Sequence, residues 1–200
     1  MSARKVDLAR AARAIEEFLD ALGTPVTSDP ELAGTGARVA EAYATDLLSG
    51  YELDPKAILA ERAGSSAPGL VLVHGIPTST VCPHHLLPAT GVTHVGYWPG
   101  GGIVGLGAVA RLVDCFSRRL ALQEDVGRNV ADALVVHLGA RAAGVIVDLE
   151  PLCMTARGER RHAARAVTTA FAGAAIDDAS LRAELTGAIA IARERPRDPA

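Results

Sequence analysis

Lysine is almost missing from this chain. Lys5 and Lys56 are the only two, so any pocket for an anion must rest on arginine. Aromatic residues make up 4%. Cysteine occurs three times, at positions 82, 115 and 153, an odd and widely spaced set that argues against a disulfide framework and for thiols or metal ligands in a reducing compartment. No apolar run approaches the length of a membrane span; the longest, such as Gly69–Val73 and Ala142–Val147, are far too short. An excess of positive charge is also lacking. The net charge is −3 and the pI about 6.1, which disfavours a broad nucleic-acid surface. Asp7, Arg10, Arg13, Glu16 and Glu17 interrupt the N-terminal segment, so no signal peptide is read there and a cytoplasmic location is expected.

What is present suits a globular chain of 200 residues, 49% hydrophobic and 22% charged. Leu8, Ala12, Ile15, Leu19 and Leu22 recur at helical spacing and predict an amphipathic helix over 4–22, ended by Gly23. Ser28 and Glu31 read as a capping box, and a second helix is expected from Thr35 through Leu48. Residues 61–68 read as a loop. Leu70–Val73 and Gly91–Trp98 are β-type, and the glycines at 100–102 read as a hairpin turn. Two helical patterns follow, over 107–120 and 124–138. Gly144–Leu149 and Ala164–Phe171 then suggest a second hairpin, and 177–192 a closing helix. Two hairpins around a helix pair indicate an α+β fold with antiparallel pairing. The expected division is an N-terminal helical region at 1–66, a catalytic domain at 67–192 and a polar tail at 193–200.

Cys82-Pro83-His84-His85 places one thiol and two imidazoles within four residues, and Cys153 stands at the end of an expected strand. Zinc takes thiolate and imidazole ligands, and catalytic sites use three protein ligands with one position left open. Two ligands from a turn and one from a strand end would meet that need; a closed structural site would add His84. Adjacent histidines point different ways, so one serves the metal while the other faces substrate. Cys115, among Val109, Leu112 and Phe116, reads as core.

Thr80–Pro88 resembles the C-E-H-H-L-x-P segment of the GTP cyclohydrolase I family. The likeness continues in order. His94–Pro99 resembles H-I-A-Y-x-P, Gly105–Val113 resembles G-L-S-K-L-A-R-I-V, Ser117–Glu124 resembles A-R-R-L-Q-V-Q-E, and Cys153–Gly158 resembles C-M-x-x-R-G. Upstream, Arg38-Val39-Ala40, Tyr43 and Leu47–Glu52 are similar to R-V-A-x-x-Y and L-L-S-G-Y-E. The likeness spans roughly Thr35 to Thr169.

The resemblance implies the tunnelling fold: β-β-α-α units, an antiparallel sheet with helices on one face, and an N-terminal helical extension. It implies a homo-oligomer, a decamer of two pentameric rings, with active sites between subunits. It implies a zinc ion on Cys82, His85 and Cys153. The substrate is then GTP and the products are formate and 7,8-dihydroneopterin triphosphate, with no nucleic acid or membrane partner. His84 takes the proton-transfer role, since opening the guanine imidazole requires protonating a ring nitrogen and histidine titrates near neutrality. Glu124 is the carboxylate that accepts from guanine N1–H and the 2-amino group, with Gln123 beside it. Arg38, Arg111 and Arg157 match the positions that hold the triphosphate.

Four departures from the family pattern stand out. Pro83 replaces Glu in C-E-H-H, Gly36 replaces proline before the first arginine, and Gly107-Ala108 replace Ser-Lys, removing one cation. Pro151 replaces the histidine of H-x-C-M, a part of the family's acid–base machinery. Three readings follow: the complete cyclohydrolase reaction, a zinc purine hydrolase that stops at a ring-opened formamidopyrimidine or uses another purine, and a non-catalytic nucleotide-binding oligomer.

Overall fold

The computed structural model describes residues 4–64, 69–158 and 160–194. It opens with α1 (Leu8–Ala21), α2 (Thr35–Glu41, continued as a π-helix over Ala42–Leu47) and the short α3 (Pro55–Ile58). Asp7 caps α1 by accepting from the Arg10 N–H. The capping box at Ser28 does not form. Asp29 accepts from the Glu31 N–H instead, while the Ser28 hydroxyl donates to the Pro25 carbonyl. Gly36 is the contact point between α1 and α2: a Cβ there would stand 2.5 Å from the Ala12 carbonyl oxygen. The family proline would not fit against α1 at that position.

Eleven-residue strands β2 (Val71–Val81) and β3 (Pro88–Trp98) follow β1 (Arg62–Gly64). The polar stretch at 78–85 is thus strand as far as Val81, longer than the apolar run predicts, because Thr78 and Thr80 alternate inward and find partners there: Thr78 Oγ1 donates to Thr93 Oγ1 of β3 at 2.8 Å. After the glycine turn comes β4 (Gly102–Val104), which pairs antiparallel with β1 and not with β3. The expected loop at 61–68 therefore begins as a strand, and the glycines lead into a two-stranded patch rather than a simple hairpin. Then come α4 (Leu106–Ser117), α5 (Gln123–Ala133, with a π-helical turn over Leu134–Leu138), β5 (Ala142–Pro151), α6 (Leu152–Thr155), β6 (Ala166–Gly173) and α7 (Ala179–Glu194).

The main sheet runs β2-β3-β5-β6, antiparallel throughout. Strand periodicity decides its two faces. Val95 and Tyr97 of β3 and Val145, Val147 and Leu149 of β5 face Val109, Leu112 and Val113 of α4 and Val130 and Leu134 of α5. The alternate residues, Trp98 and Ile146, face Leu185 and Ile189 of α7. Helices were expected on one face; α4 and α5 keep to it, but α7 covers the other. Trp98 anchors it, donating its indole N–H to Glu184 at 2.9 Å. Within one chain the sheet leaves β2 and β6 as open edges, so no barrel closes. Of the expected polar tail, residues 195–200 lie outside the described residues.

Candidate active site at one end of the sheet

Register brings the cysteine–histidine constellation together. Val81 pairs with Pro88, so Cys82–Leu87 is the loop of the β2–β3 hairpin. Ala89 pairs with Pro151, so β5 ends beside that loop and Cys153 follows two residues later, on α6. Leu149 pairs with Ala166, which puts the start of β6 at the same end. The connector before α5 runs along the end of β2, where Ala121 donates its N–H to the Val81 carbonyl at 3.1 Å. Gln123 and Glu124 therefore open α5 at this end too.

The hairpin loop is tight. Cys82 accepts from the Leu86 N–H at 2.9 Å and donates its own N–H to Leu87 at 3.0 Å. Leu86 has φ 55°, a left-handed conformation that costs a side-chain-bearing residue about 1 kcal/mol or more. Tyr43 from the N-terminal region donates its hydroxyl to the Leu86 carbonyl at 2.8 Å. The sequence pattern marks Tyr43 without saying what it holds; this contact spans 43 residues.

Cys82 and Cys153 are half-buried and His84 and His85 exposed. The two imidazole centroids stand 6.4 Å apart, with the ring planes at 79°. Two thiols and an imidazole at one sheet end are the donor types zinc takes. Among the described residues, however, no three His, Cys, Asp or Glu side chains are drawn onto a common centre. The register gathers the donors to one end of the fold; their side chains are not closed around an ion. Cys115 is different: it is buried, donates to the Leu53 carbonyl, and burial pushes its thiol pKa up.

The remaining site residues divide. Glu124 is exposed in the first turn of α5. Gln123 spends its amide on backbone, donating to Val147 at 2.9 Å and Ala166 at 2.8 Å, and so ties β5 to β6. Arg38 is also engaged, with Ala33 at 2.8 Å, Thr35 Oγ1 at 2.9 Å and Glu31 at 3.3 Å. Arg111 and Arg157 are exposed, and neither guanidinium hydrogen-bonds among the described residues. Ala108, where the family has lysine, is buried in the core. An apolar hollow of about 700 Å³ lies between α1, α2 and the hairpin loop, with His85 and Leu86 in its wall. Its lining is too apolar for a triphosphate.

The family model described as GTP cyclohydrolase I matches residues 11–190. This chain belongs to the GTP cyclohydrolase I family. Relatives named GTP cyclohydrolase 1 share 41% identity in Corynebacterium glutamicum, over 91% of this chain and 93% of theirs. In Mycobacterium ulcerans the figure is 42%, over 90% of each chain. In Mycobacterium leprae it is 41%, over 93% of this chain and 91% of the relative. Family membership thus covers most of the N-terminal helices as well as the sheet, and α7 as far as residue 190.

Proposed function

We propose that this chain is a GTP-hydrolysing enzyme of the GTP cyclohydrolase I type, opening the guanine imidazole at C8 and forming formate and 7,8-dihydroneopterin triphosphate. The observation that carries the reading is the register that sets Cys82, His84, His85 and Cys153 at one sheet end, beside Glu124. Cys82, His85 and Cys153 would hold a zinc ion, which supplies the Lewis acidity that makes water nucleophilic at neutral pH. His84, next to a ligand in the chain, protonates a ring nitrogen as its bond to C8 breaks. Glu124 reads the N1–H and 2-amino edge of guanine. Arg111 and Arg157 take triphosphate oxygens; Arg38 joins them once it leaves its loop carbonyls. The open edges of β2 and β6 support closure of the sheet across copies, in a decamer of two pentamers. The family supports a cytoplasmic pterin-forming role.

A second reading has its own support. Pro151 has no titratable group, and Ala108 in place of the family lysine leaves the site one cation fewer. The first favours a hydrolase that stops at the ring-opened formamidopyrimidine, and the second one that takes another purine nucleotide. Mass spectrometry of products from zinc-loaded protein and GTP separates the readings. Formate with dihydroneopterin triphosphate supports the complete reaction, and a formyl-retaining nucleotide supports the shorter one. Bound but unchanged GTP overturns both in favour of a binding protein. Chelation of the metal abolishes turnover if the ligand assignment is right.

A further inference from the structure

Freeing C8 of guanine as formate breaks two carbon–nitrogen bonds. Two waters add, the later cyclisation returns one, and each departing nitrogen needs a proton. His84 serves one such transfer, and the end of β5 offers Pro151, which serves none.

The structure sorts the six histidines of the chain. His94 is buried six residues up β3 from Pro88, about 20 Å from the sheet end at strand rise. His74 sits on the bulge opposite it. His137 ends the helix that begins at Gln123, about 20 Å along the axis. Only His84, His85 and His162 belong to the loops at the end where Cys82 and Cys153 leave the sheet.

His162 is exposed in the segment between α6 and β6. That segment folds back onto α6: Arg161 donates its N–H to the carbonyl of Met154, next to Cys153, at 3.0 Å. It is then knotted by bonds from Arg160 to Arg157, His162 to Arg160 and Ala164 to Arg161, each N–H to carbonyl. Arg160 and Ala163, on either side of His162, have φ 48° and 64°. With Leu86 of the hairpin loop they are the only non-glycine residues of positive φ among those described. All three lie in the two loops of this end, and strain of this kind persists where the surrounding structure holds a site in place.

We propose that His162 is the second proton-transfer residue of this active site, standing in for the group that Pro151 cannot provide. This rests on the proposed cyclohydrolase reading. In the step assigned to it, water adds to the formyl carbon, the imidazole takes the proton that this water gives up, and the same proton passes to the nitrogen released as its bond to C8 breaks. Formate and a free amine leave, and His162 returns to its starting state.

The test uses full-length zinc-loaded His162→Gln and His162→Ala, with His137→Gln as the distant control. Pterin formation falls about 10²- to 10⁴-fold in the His162 variants. A ring-opened nucleotide heavier than GTP by one water accumulates, the KM for GTP stays within about threefold, and added imidazole restores part of the rate to His162→Ala. In metal-free protein, GTP shifts the ring resonances of His162 and leaves those of His137 in place. Wild-type turnover with an unchanged pH profile in both variants overturns the assignment. So does joint loss of nucleotide binding and turnover, which marks a structural role. A wild-type protein that leaves GTP intact overturns the cyclohydrolase reading and this assignment with it.

Discussion

The hydroxyl of Tyr43 donates to the carbonyl of Leu86 at 2.8 Å, and this contact joins the N-terminal helices to the loop that carries Cys82 and His85. Leu86 is held at φ 55°. Tyr43→Phe removes the bond while keeping the ring, so stability falls by about 0.5–1.5 kcal/mol. Zinc affinity falls with it if the loop supplies two ligands. Thermal unfolding and a competitive zinc titration measure the two effects. Unaltered affinity would mean that the loop holds its shape without Tyr43.

Gln123 and Glu124 are neighbours with opposite duties. Gln123 bridges the part-buried carbonyls of Val147 and Ala166 through its amide, so Gln123→Ala loses both bonds and costs about 0.5–1.5 kcal/mol of stability for each. Glu124 is exposed and makes no such bridge. Glu124→Gln leaves unfolding nearly unchanged and lowers kcat/KM for GTP by at least about 10²-fold, through loss of a charged acceptor. Denaturation curves and steady-state kinetics on both variants check the separation; a reversal of the two effects would overturn it.

Leu185 of α7 rests on two glycines. A Cβ on Gly96 would meet Leu185 Cδ1 at 2.4 Å, and one on Gly144 would meet Cδ2 at 2.5 Å. Gly96→Ala or Gly144→Ala overpacks this seat and destabilises by about 1–3 kcal/mol. Leu185→Ala relieves the clash, so the double variant loses less than the sum of the singles. A double-mutant cycle in urea measures the coupling, and simple additivity would mean that α7 shifts freely over the sheet.

His94 links stability to pH. The bulge between Val73 and Ile76 sets His74 and Gly75 opposite His94, and Gly75, at φ 70°, donates its freed N–H to His94 Nδ1 at 3.1 Å. Burial first, then Arg193 and His74, lower the His94 pKa below its usual 6.5, while Asp148 opposes them. The unfolded chain therefore binds the proton more readily than the fold. The contribution of His94 is complete above about pH 6.5 and is lost as pH falls towards the lowered folded value. His94→Gln flattens the decline of Tm below pH 6.5; an equal slope in wild type and variant would show that another group governs it.

Much of this protein was legible in its sequence. The amphipathic patterns gave α1, α4 and α5, the two hairpins gave the antiparallel α+β class, and several motifs in fixed order gave the family. These are local or ordered signals, carried by residue type and spacing alone. The strand lengths were less legible, because Thr78 and Thr80 are buried through hydrogen bonds and packing that hydropathy does not register. The partner of the glycine turn was not legible either, since β1 lies forty residues upstream of β4 and carries no apolar pattern.

Tertiary structure alone decided the rest. That Cys82 and Cys153 leave one sheet end follows from the pairings of Val81 with Pro88 and Ala89 with Pro151, and a slip of one residue would turn every side chain of a strand to the other face. That α7 covers the second face depends on the small residues Gly96 and Gly144 standing where Leu185 descends. The duties of Gln123 and Arg38 were decided by backbone carbonyls brought within 3.3 Å of their side chains. Sequence names the donors and acceptors, but long-range pairing chooses among them, because a hydrogen bond or a packed contact requires position as well as chemistry.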